Sequence, residues 1–459
     1  VFKLSVAARA IGANLLGDDV QITGTTTDSR VVQRGNLFVA ISGPRFDGHD
    51  FVEQAVANGA AALMVSANSQ PDRFSIPALI VDDVRLAYGR LAGWWRSLFS
   101  IPLVAITGSN GKTTVKEMLA SILCEHAGDD AVLATRGNLN NDIGMPAMLL
   151  EMEPHHRFAV LEMGMNHLGE IAYLTRLARP TIALINNAGT AHIGEVGSVQ
   201  GIARAKGEIF SGLDPDGVAV INRDDASAEY WRSLVGDRRI VDFGLAEKAA
   251  VSARYELSGI GSLVTVRTPD TQFPVSLQVP GLHNVKNALA AATAAFVLGV
   301  PSAQIAAGLH LYTGIAGRLQ RMALPGGDVI LDDSYNANLE SAQAALSVLG
   351  TESGQKIFVM GDMGELGATA GTVHAEIGGF AKRAGVDRLF ALGTLSAEMV
   401  RNFGSGATHY SDVDELISDL RSALNGSTTV LVKGSRFMRM ERVVQALTSD
   451  PVPQSGETT

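Results

Sequence analysis

One cysteine, Cys124, among 459 residues leaves no intrachain disulfide and no thiol set for zinc, which fits a reducing compartment. On the helix where it falls it is most simply a small buried hydrophobe. No apolar run reaches the ~20 residues that a bilayer span needs; the longest, Ala288 to Val300, stops well short. The first residues lack both the unbroken hydrophobic centre and the small-residue cleavage site of a signal peptide, since Lys3, Arg9 and Asp18-Asp19 interrupt them. Basic charge is also in deficit. Against 47 acidic residues stand 37 lysines and arginines, a formal net charge of −10 that argues against an extended nucleic-acid groove but allows local pockets for small anions. Repeats of fixed period and low-complexity tracts are absent. A soluble, cytoplasmic protein is expected, with no nucleic-acid partner and no membrane insertion.

At about 100–200 residues per domain the length predicts two to four domains. From Leu37 onward short apolar runs alternate with helical patterns: Leu37 to Ala40, a helix from Asp50, Ala61 to Val65, Leu79 to Val81, and a helix carrying Trp94-Trp95 that ends near Ser100. Pro102 opens a new unit, so residues 1–99 form a first, small α/β domain. Strands at Leu103 to Ile106, Ala159 to Leu161, Ile182 to Ile185 and Val218 to Ile221 then predict a largely parallel sheet covered on both faces. Val251 to Val279 alternates in period two, as an antiparallel edge does, and an alanine-rich helix from Asn284 to Leu298 should pack closely inside. Gly314 to Gly327 reads as a linker, giving domains at 100–313 and 314–459. The last repeats the β/α alternation as a second doubly wound sheet of Rossmann type, and the chain after about Ser449 reads as disordered.

The chemistry is concentrated at Thr107-Gly108-Ser109-Asn110-Gly111-Lys112-Thr113-Thr114, which follows a strand and opens a helix. Small residues let backbone N–H groups turn toward phosphate oxygens, the helix N-terminus adds partial positive charge, Lys112 neutralises β/γ oxygens, and Thr113 offers a hydroxyl to Mg²⁺. The full P-loop pattern wants a glycine where Ile106 stands, so the loop is a shortened variant. Glu162 ends the run Phe158 to Leu161 at the sheet edge where such folds bind ligands, and beside that loop it is a sensible Mg²⁺ ligand. His192, after the next strand, comes to the same edge but by spacing alone is a solvated loop histidine; Lys206 by itself reads as a surface lysine paired with a glutamate.

Taken together, Thr107 to Thr114, Glu162 in Leu-Glu-Met-Gly, His192, Lys206, His283-Asn284-Val-Lys-Asn287, Gly317-Arg318 and Asp332-Asp-Ser-Tyr-Asn336 resemble the Mur ligases over nearly the whole chain. These are ATP-dependent amide-forming enzymes of peptidoglycan precursor synthesis, and so of cell-wall biogenesis, cell shape and division. Thr26 to Arg30 and Asp47 to Phe51 resemble the UDP-binding domain of the two later ligases. Asn138 to Gly144, the ending Lys433 to Glu441 and the lack of an Asp-Asn-Pro-Arg signature resemble the member that adds the terminal dipeptide. The resemblance implies UDP-N-acetylmuramoyl-tripeptide and D-alanyl-D-alanine as substrates, an acyl phosphate between them, and ATP with two Mg²⁺ as cofactors. It further implies Lys112 on the transferred phosphate, Thr113 and Glu162 on one Mg²⁺, His192 on a second, and Lys206 turned by CO₂ into a carbamate that joins the metals. Asn284 and Asn287 would face the adenine, and Arg318 and Asp332 would reach the nucleotide across the linker. Ser29, Arg30 and His49 would hold the UDP end, Asn140 and Asn141 the muramyl-peptide, and Asn336 and Arg436 the incoming dipeptide. The linker would be a hinge on which the C-terminal domain closes, and a monomer is expected.

Another Mur-type ligase shares most of these marks. Folylpolyglutamate synthase carries a similar phosphate loop but normally lacks the N-terminal domain. A P-loop switch is disfavoured because no Asn-Lys-x-Asp guanine-reading motif is present, and a non-catalytic UDP-sugar binder would not need Lys112, Glu162 and His192 together.

Overall fold

A computed structural model of the chain describes all residues except Arg45, 71–73, 190–196, Glu247, Gly259 and 450–459. The segment expected to be disordered after Ser449 therefore lies almost wholly outside the described residues, as does His192.

The central sheet is built from runs that are apolar at every position, because both faces are covered. Leu103 and Ala105 point into one core, while Val104 and Ile106 point into the other; Ala159/Leu161 and Val160 divide in the same way. The nine strands lie in the order 272–277, 262–267, 251–257, 239–244, 218–222, 182–185, 103–107, 158–162, 132–134. All neighbours are parallel except the outer hairpins 251–257/262–267 and 262–267/272–277, the antiparallel edge that their alternation forecast. The alanine-rich helix Leu282–Val297 buries Ala288, Ala290, Ala291, Ala292, Ala294 and Ala295 in the same core as helix Lys112–Ala127; small side chains permit that close approach.

On the N-terminal side a five-stranded sheet (14–16, 78–81, 62–66, 36–39, 24–26) carries the helix Val84–Arg96. The C-terminal sheet has six strands in the order 320–323, 329–333, 428–433, 355–361, 388–392, 407–410, with separate cores on its two faces. Two local expectations change. Within the stretch read as a linker, Gln320–Ala323 pairs antiparallel with Val329–Asp333, because the positive-φ glycines 326 and 327 turn the chain back on itself while residues 320–323 keep an alternating half-buried pattern. Cys124 is half-buried rather than buried, beside a groove lined by Leu311 to Ile315, and its thiol is pushed up to about 11 chiefly by desolvation.

In each doubly wound sheet, crevices for ligands open at the carboxyl ends of the strands. The loops after strands 103–107 and 182–185, the last residue of strand 158–162 and the loops after 329–333, 355–361 and 428–433 line one common cavity of about 790 Å³.

Candidate active site

The phosphate loop owes its shape to what surrounds it as much as to its own glycines. Gly111 has φ +76° and a Cβ there would lie 2.3 Å from Asn287 Oδ1, so no other residue fits. Asn110 is held by its whole peptide: its N–H donates to Asn187 Oδ1 (2.8 Å), and its carbonyl accepts from Asn186 Nδ2 (2.9 Å) and Asn187 Nδ2 (3.0 Å). Asn186 Nδ2 also donates to Asn287 Oδ1 (2.9 Å), and Asn222 Nδ2 donates to the Asn186 carbonyl (2.8 Å). Lys112 then curls back, its Nζ donating to the carbonyls of Gly108 (2.8 Å) and Ser109 (3.4 Å). Burial pushes its ammonium below the ordinary lysine value, and the Glu162 carboxylate works against that shift.

Glu162 is nearly sealed from solvent at 2% exposure, and both carboxylate oxygens are engaged. Thr113 Oγ1 donates to Oε2 (2.9 Å) and Asn140 Nδ2 to Oε1 (2.7 Å). Its backbone is fixed too, because Glu162 N–H donates to Thr135 Oγ1 (2.9 Å) and the Thr135 carbonyl accepts from the buried Lys116 Nζ (2.7 Å). Lys206 is fully buried, and among the described residues its Nζ has no hydrogen-bond partner. Desolvation first, and the nearby Lys112 charge second, push its ammonium well below the ordinary value.

The C-terminal sheet supplies the opposite wall. Arg318 stacks on Tyr335, its guanidinium 4.1 Å from the ring centre, and Nη2 lies 3.5 Å from Thr113 Oγ1. Arg436 approaches the same ring at 5.6 Å and pairs with Glu441 (2.9 Å). Lys433, only 2% exposed, donates to Asp333 Oδ2 (2.6 Å) and the Asn336 carbonyl (2.8 Å). His283 lines the cavity with this pair, and burial pushes its imidazole down to about 4, which keeps it neutral. Asn338 caps the helix Leu339–Thr351, and its Nδ2 donates to Asn110 Oδ1 across the cavity (2.7 Å).

Three family profiles match along the chain: "Mur ligase family, catalytic domain" over residues 21–93, "Mur ligase middle domain" over 106–295 and "Mur ligase, glutamate ligase domain" over 317–436. A curated relative from Escherichia coli, named UDP-N-acetylmuramoyl-tripeptide--D-alanyl-D-alanine ligase, is 43% identical over 97% of this chain and 98% of its own. The chain belongs to the Mur ligase family. Among solved structures, a MurF crystal structure from Acinetobacter baumannii superposes with a TM-score of 0.91 at 36% identity, over 97% of this chain and 98% of that one. A MurF ligase from Thermotoga maritima in complex with ADP gives 0.81 at 28% identity, over 93% and 97%.

For this Mur ligase the cavity brings together many residues singled out from sequence: Ser109 to Thr114, Glu162, Asn284, Asn287, Arg318, Asn336 and Arg436 all line it. Others stand elsewhere. Thr107 is buried behind the loop with its hydroxyl donated to the Met163 carbonyl (2.9 Å), and Gly108 serves through its carbonyl. Asp332 is off the cavity wall, and its oxygens accept from the N–H groups of Gly317 (3.1 Å) and Ser334 (3.0 Å); Asp333 is the member of the pair that faces the cavity. Asn141 accepts from the N–H groups of Ile143 (3.2 Å) and Gly144 (2.8 Å) and so starts the helix Gly144–Leu150. On the N-terminal sheet, Ser29 donates to Gln54 (2.7 Å) and exposed Arg30 pairs with Asp28 (2.7 Å), which holds that carboxyl down at about 2. His49 Nε2 accepts the Ser66 N–H (3.0 Å), which leaves the ring proton on Nδ1 toward Asp47 (2.6 Å).

Sequence reasoning gave no role to Asn187, Asn222, Lys433, Asp333, Asn338 or Lys116, although Lys433 and Asp333 stand within its signatures. Lys433 ends the strand 428–433 and Asn187 stands two residues past the strand 182–185, both at the ligand edge, so position at the carboxyl end was the available signal.

Proposed function

We infer that this ligase joins D-alanyl-D-alanine to UDP-N-acetylmuramoyl-tripeptide at the expense of ATP, releasing ADP and phosphate, in peptidoglycan precursor synthesis. The observation that carries this reading is full-length likeness to relatives of that name, coupled to a phosphate loop whose lysine, threonine and facing glutamate meet at one cavity.

A carboxylate resists amines because it is negative and its leaving group would be oxide; phosphorylation removes both obstacles. The tripeptide's terminal carboxylate oxygen attacks the γ-phosphorus of ATP, ADP leaves, and the resulting acyl phosphate is attacked by the dipeptide amine. The new C–N bond forms as the C–O bond to phosphate breaks, and the amine proton leaves to solvent or a site base. Lys112, already turned inward, offsets charge on the transferred group, and Arg318 adds a second cation from the opposite wall. Neutral His283 and the closed Lys433–Asp333 pair add no further free charge there, so Arg318 is the cation that this wall brings to the loop. Because the walls come from two sheets, their approach excludes the water that would hydrolyse an acyl phosphate.

Mg²⁺ suits this donor set: Thr113 Oγ1 and Glu162 Oε2 are hard oxygen donors side by side, and Mg²⁺ ordinarily takes its remaining oxygens from substrate phosphates and water. When bound, Mg²⁺ supplies charge neutralisation on the phosphates. His192 would serve a second ion. A carbamate on Lys206 fits an enclosed amine that is unpartnered and already biased toward its neutral, nucleophilic form. Residues 1–99 would carry the UDP end through Ser29, Arg30 and His49, 100–313 the nucleotide, and 314–459 the dipeptide near Asn336 and Arg436. A monomer is the expected working form. No helix among the described residues is long and apolar enough to cross a membrane, and the use of ATP and a UDP-linked substrate supports a setting in the bacterial cytoplasm.

Phosphate release measured with UDP-muramyl-tripeptide, with and without D-alanyl-D-alanine, tests this reading. Release that requires both, with a product heavier by one dipeptide residue pair, is expected. Release indifferent to the dipeptide, with no new amide, would leave a nucleotide site on a different enzyme.

A further inference from the structure

The phosphate loop and the C-terminal sheet are joined by a side-chain bond between residues 228 positions apart, Asn338 Nδ2 to Asn110 Oδ1 at 2.7 Å. Neither amide is free to turn casually. Asn338 Oδ1 accepts the Ser341 N–H (2.9 Å) as the cap of a 13-residue helix, and Ser341 Oγ accepts the Asn338 N–H in return (3.0 Å), so the cap itself aims Nδ2 outward. On the other side the Asn110 peptide is fixed by Asn186 and Asn187, so a pull on its side chain acts on the whole loop. The second crossing contact, Arg318 to Thr113, is longer at 3.5 Å.

We propose that Asn338 is an interdomain positioning residue: its amide docks the N-terminus of helix Leu339–Thr351 onto Asn110 and thereby couples seating of the C-terminal domain to the working geometry of the phosphate loop. The inference rests on the ligase reading above. It differs from a mere cap, because capping uses Oδ1 and the link uses Nδ2. Asn338 lines the cavity, but its Nδ2 donates to Asn110, and it is through Asn110 that it acts. Losing the link lets the two walls drift at the one step that needs them aligned, and displacements of about 1 Å can slow such chemistry on the order of 100-fold.

Serine caps helices as well as asparagine but is too short to reach Asn110, so Asn338→Ser separates the two roles. Expected is a melting temperature close to that of the unchanged protein, a kcat for ligation lowered about 10- to 100-fold, dipeptide KM little changed, and less compaction by small-angle scattering when ADP and UDP-muramyl-tripeptide are added. Asn110→Ala cuts the same link from the other side, and the double variant should lose no more than the worse single one. Unchanged kcat in Asn338→Ser, or losses that multiply in the double variant, would overturn the coupling. Should Asn338→Ser melt early, Asn110→Ala decides: full kcat and compaction there would reduce Asn338 to a cap. Failure of the unchanged protein to ligate at all would count against the ligase reading, whereas the scattering comparison still tests the link.

Discussion

Lys433 and Lys206 are both sealed inside this ligase, on opposite sides of the cleft, and they are treated oppositely. Lys433 lies between Asp333 Oδ2 and the Asn336 carbonyl, and ties two neighbouring strands of the C-terminal sheet at their ligand ends. Lys206 is given no partner among the described residues, and a lysine charge nearby. Burying an ammonium is costly, and a fold that buries one unpaired has not minimised its own free energy there. A paired buried charge therefore reads as architecture, whereas an orphaned one reads as chemistry awaiting a reagent.

The largest effect that could break this contrast is on turnover. In CO₂-depleted buffer Lys206→Met should leave resistance to urea unchanged or raised, while ligation under ordinary conditions falls on the order of 100-fold or more. A stability loss with activity retained would reverse the assignment. Lys433→Met should do the opposite at the level of folding: Asp333, half-buried at the cavity, loses its counter-ion, and urea titration should show a loss of about 3 kcal/mol, the low end for a broken buried pair. Lys116 is the intermediate case, since its partner Glu117 is 40% exposed and its other contact is the Thr135 carbonyl. Lys116→Met should cost about 1–3 kcal/mol by leaving that carbonyl unmet, with some loss of activity because Thr135 holds Glu162.

The pH dependence sharpens the same point. Lys206 has a folded-state pKa below its ordinary 10.5, so between those values the unfolded chain binds a proton that the folded site refuses. Stability must then rise with pH through that window, by at most about 1.4 kcal/mol per unit for one group, and the penalty is fully present below the depressed value. Subtracting the urea curves of Lys206→Met from those of the unchanged protein in CO₂-depleted buffer should isolate this slope; parallel curves would mean that the amine is not desolvated.

Residues whose partners lie close along the chain, or whose neighbours form a signature, could be read from sequence. Thr107 to Thr114 is legible because strand, loop and helix are contiguous, and Glu162 because its strand lies next to the loop's own. The Lys433–Asp333 pair and the Asn338–Asn110 bond are invisible as pairings, since each joins residues 100 or more positions apart and no local signature says which residue meets which. The all-apolar strands announce themselves through their two-sided burial. Gln320–Ala323 does not, because it is an edge strand between glycine turns, and its pairing is decided by the strand it meets. Asp332 and Asp333 show the finest limit: adjacent carboxylates on one strand take opposite tasks, and only the fold tells which one faces the cavity.

The strand order of the central sheet also governs how the chain is made. Leu103–Thr107 lies between 158–162 and 182–185, so at the ribosome, at about 5–20 residues per second, it waits several seconds for its second neighbour with both apolar faces unpaired. The outer hairpins from 251 to 277 pair with near neighbours as soon as they emerge. Within the central sheet, synthesis thus exposes this strand longest and the hairpin periphery least, which makes the stretch around the phosphate loop the part of that sheet most dependent on protection from aggregation during translation.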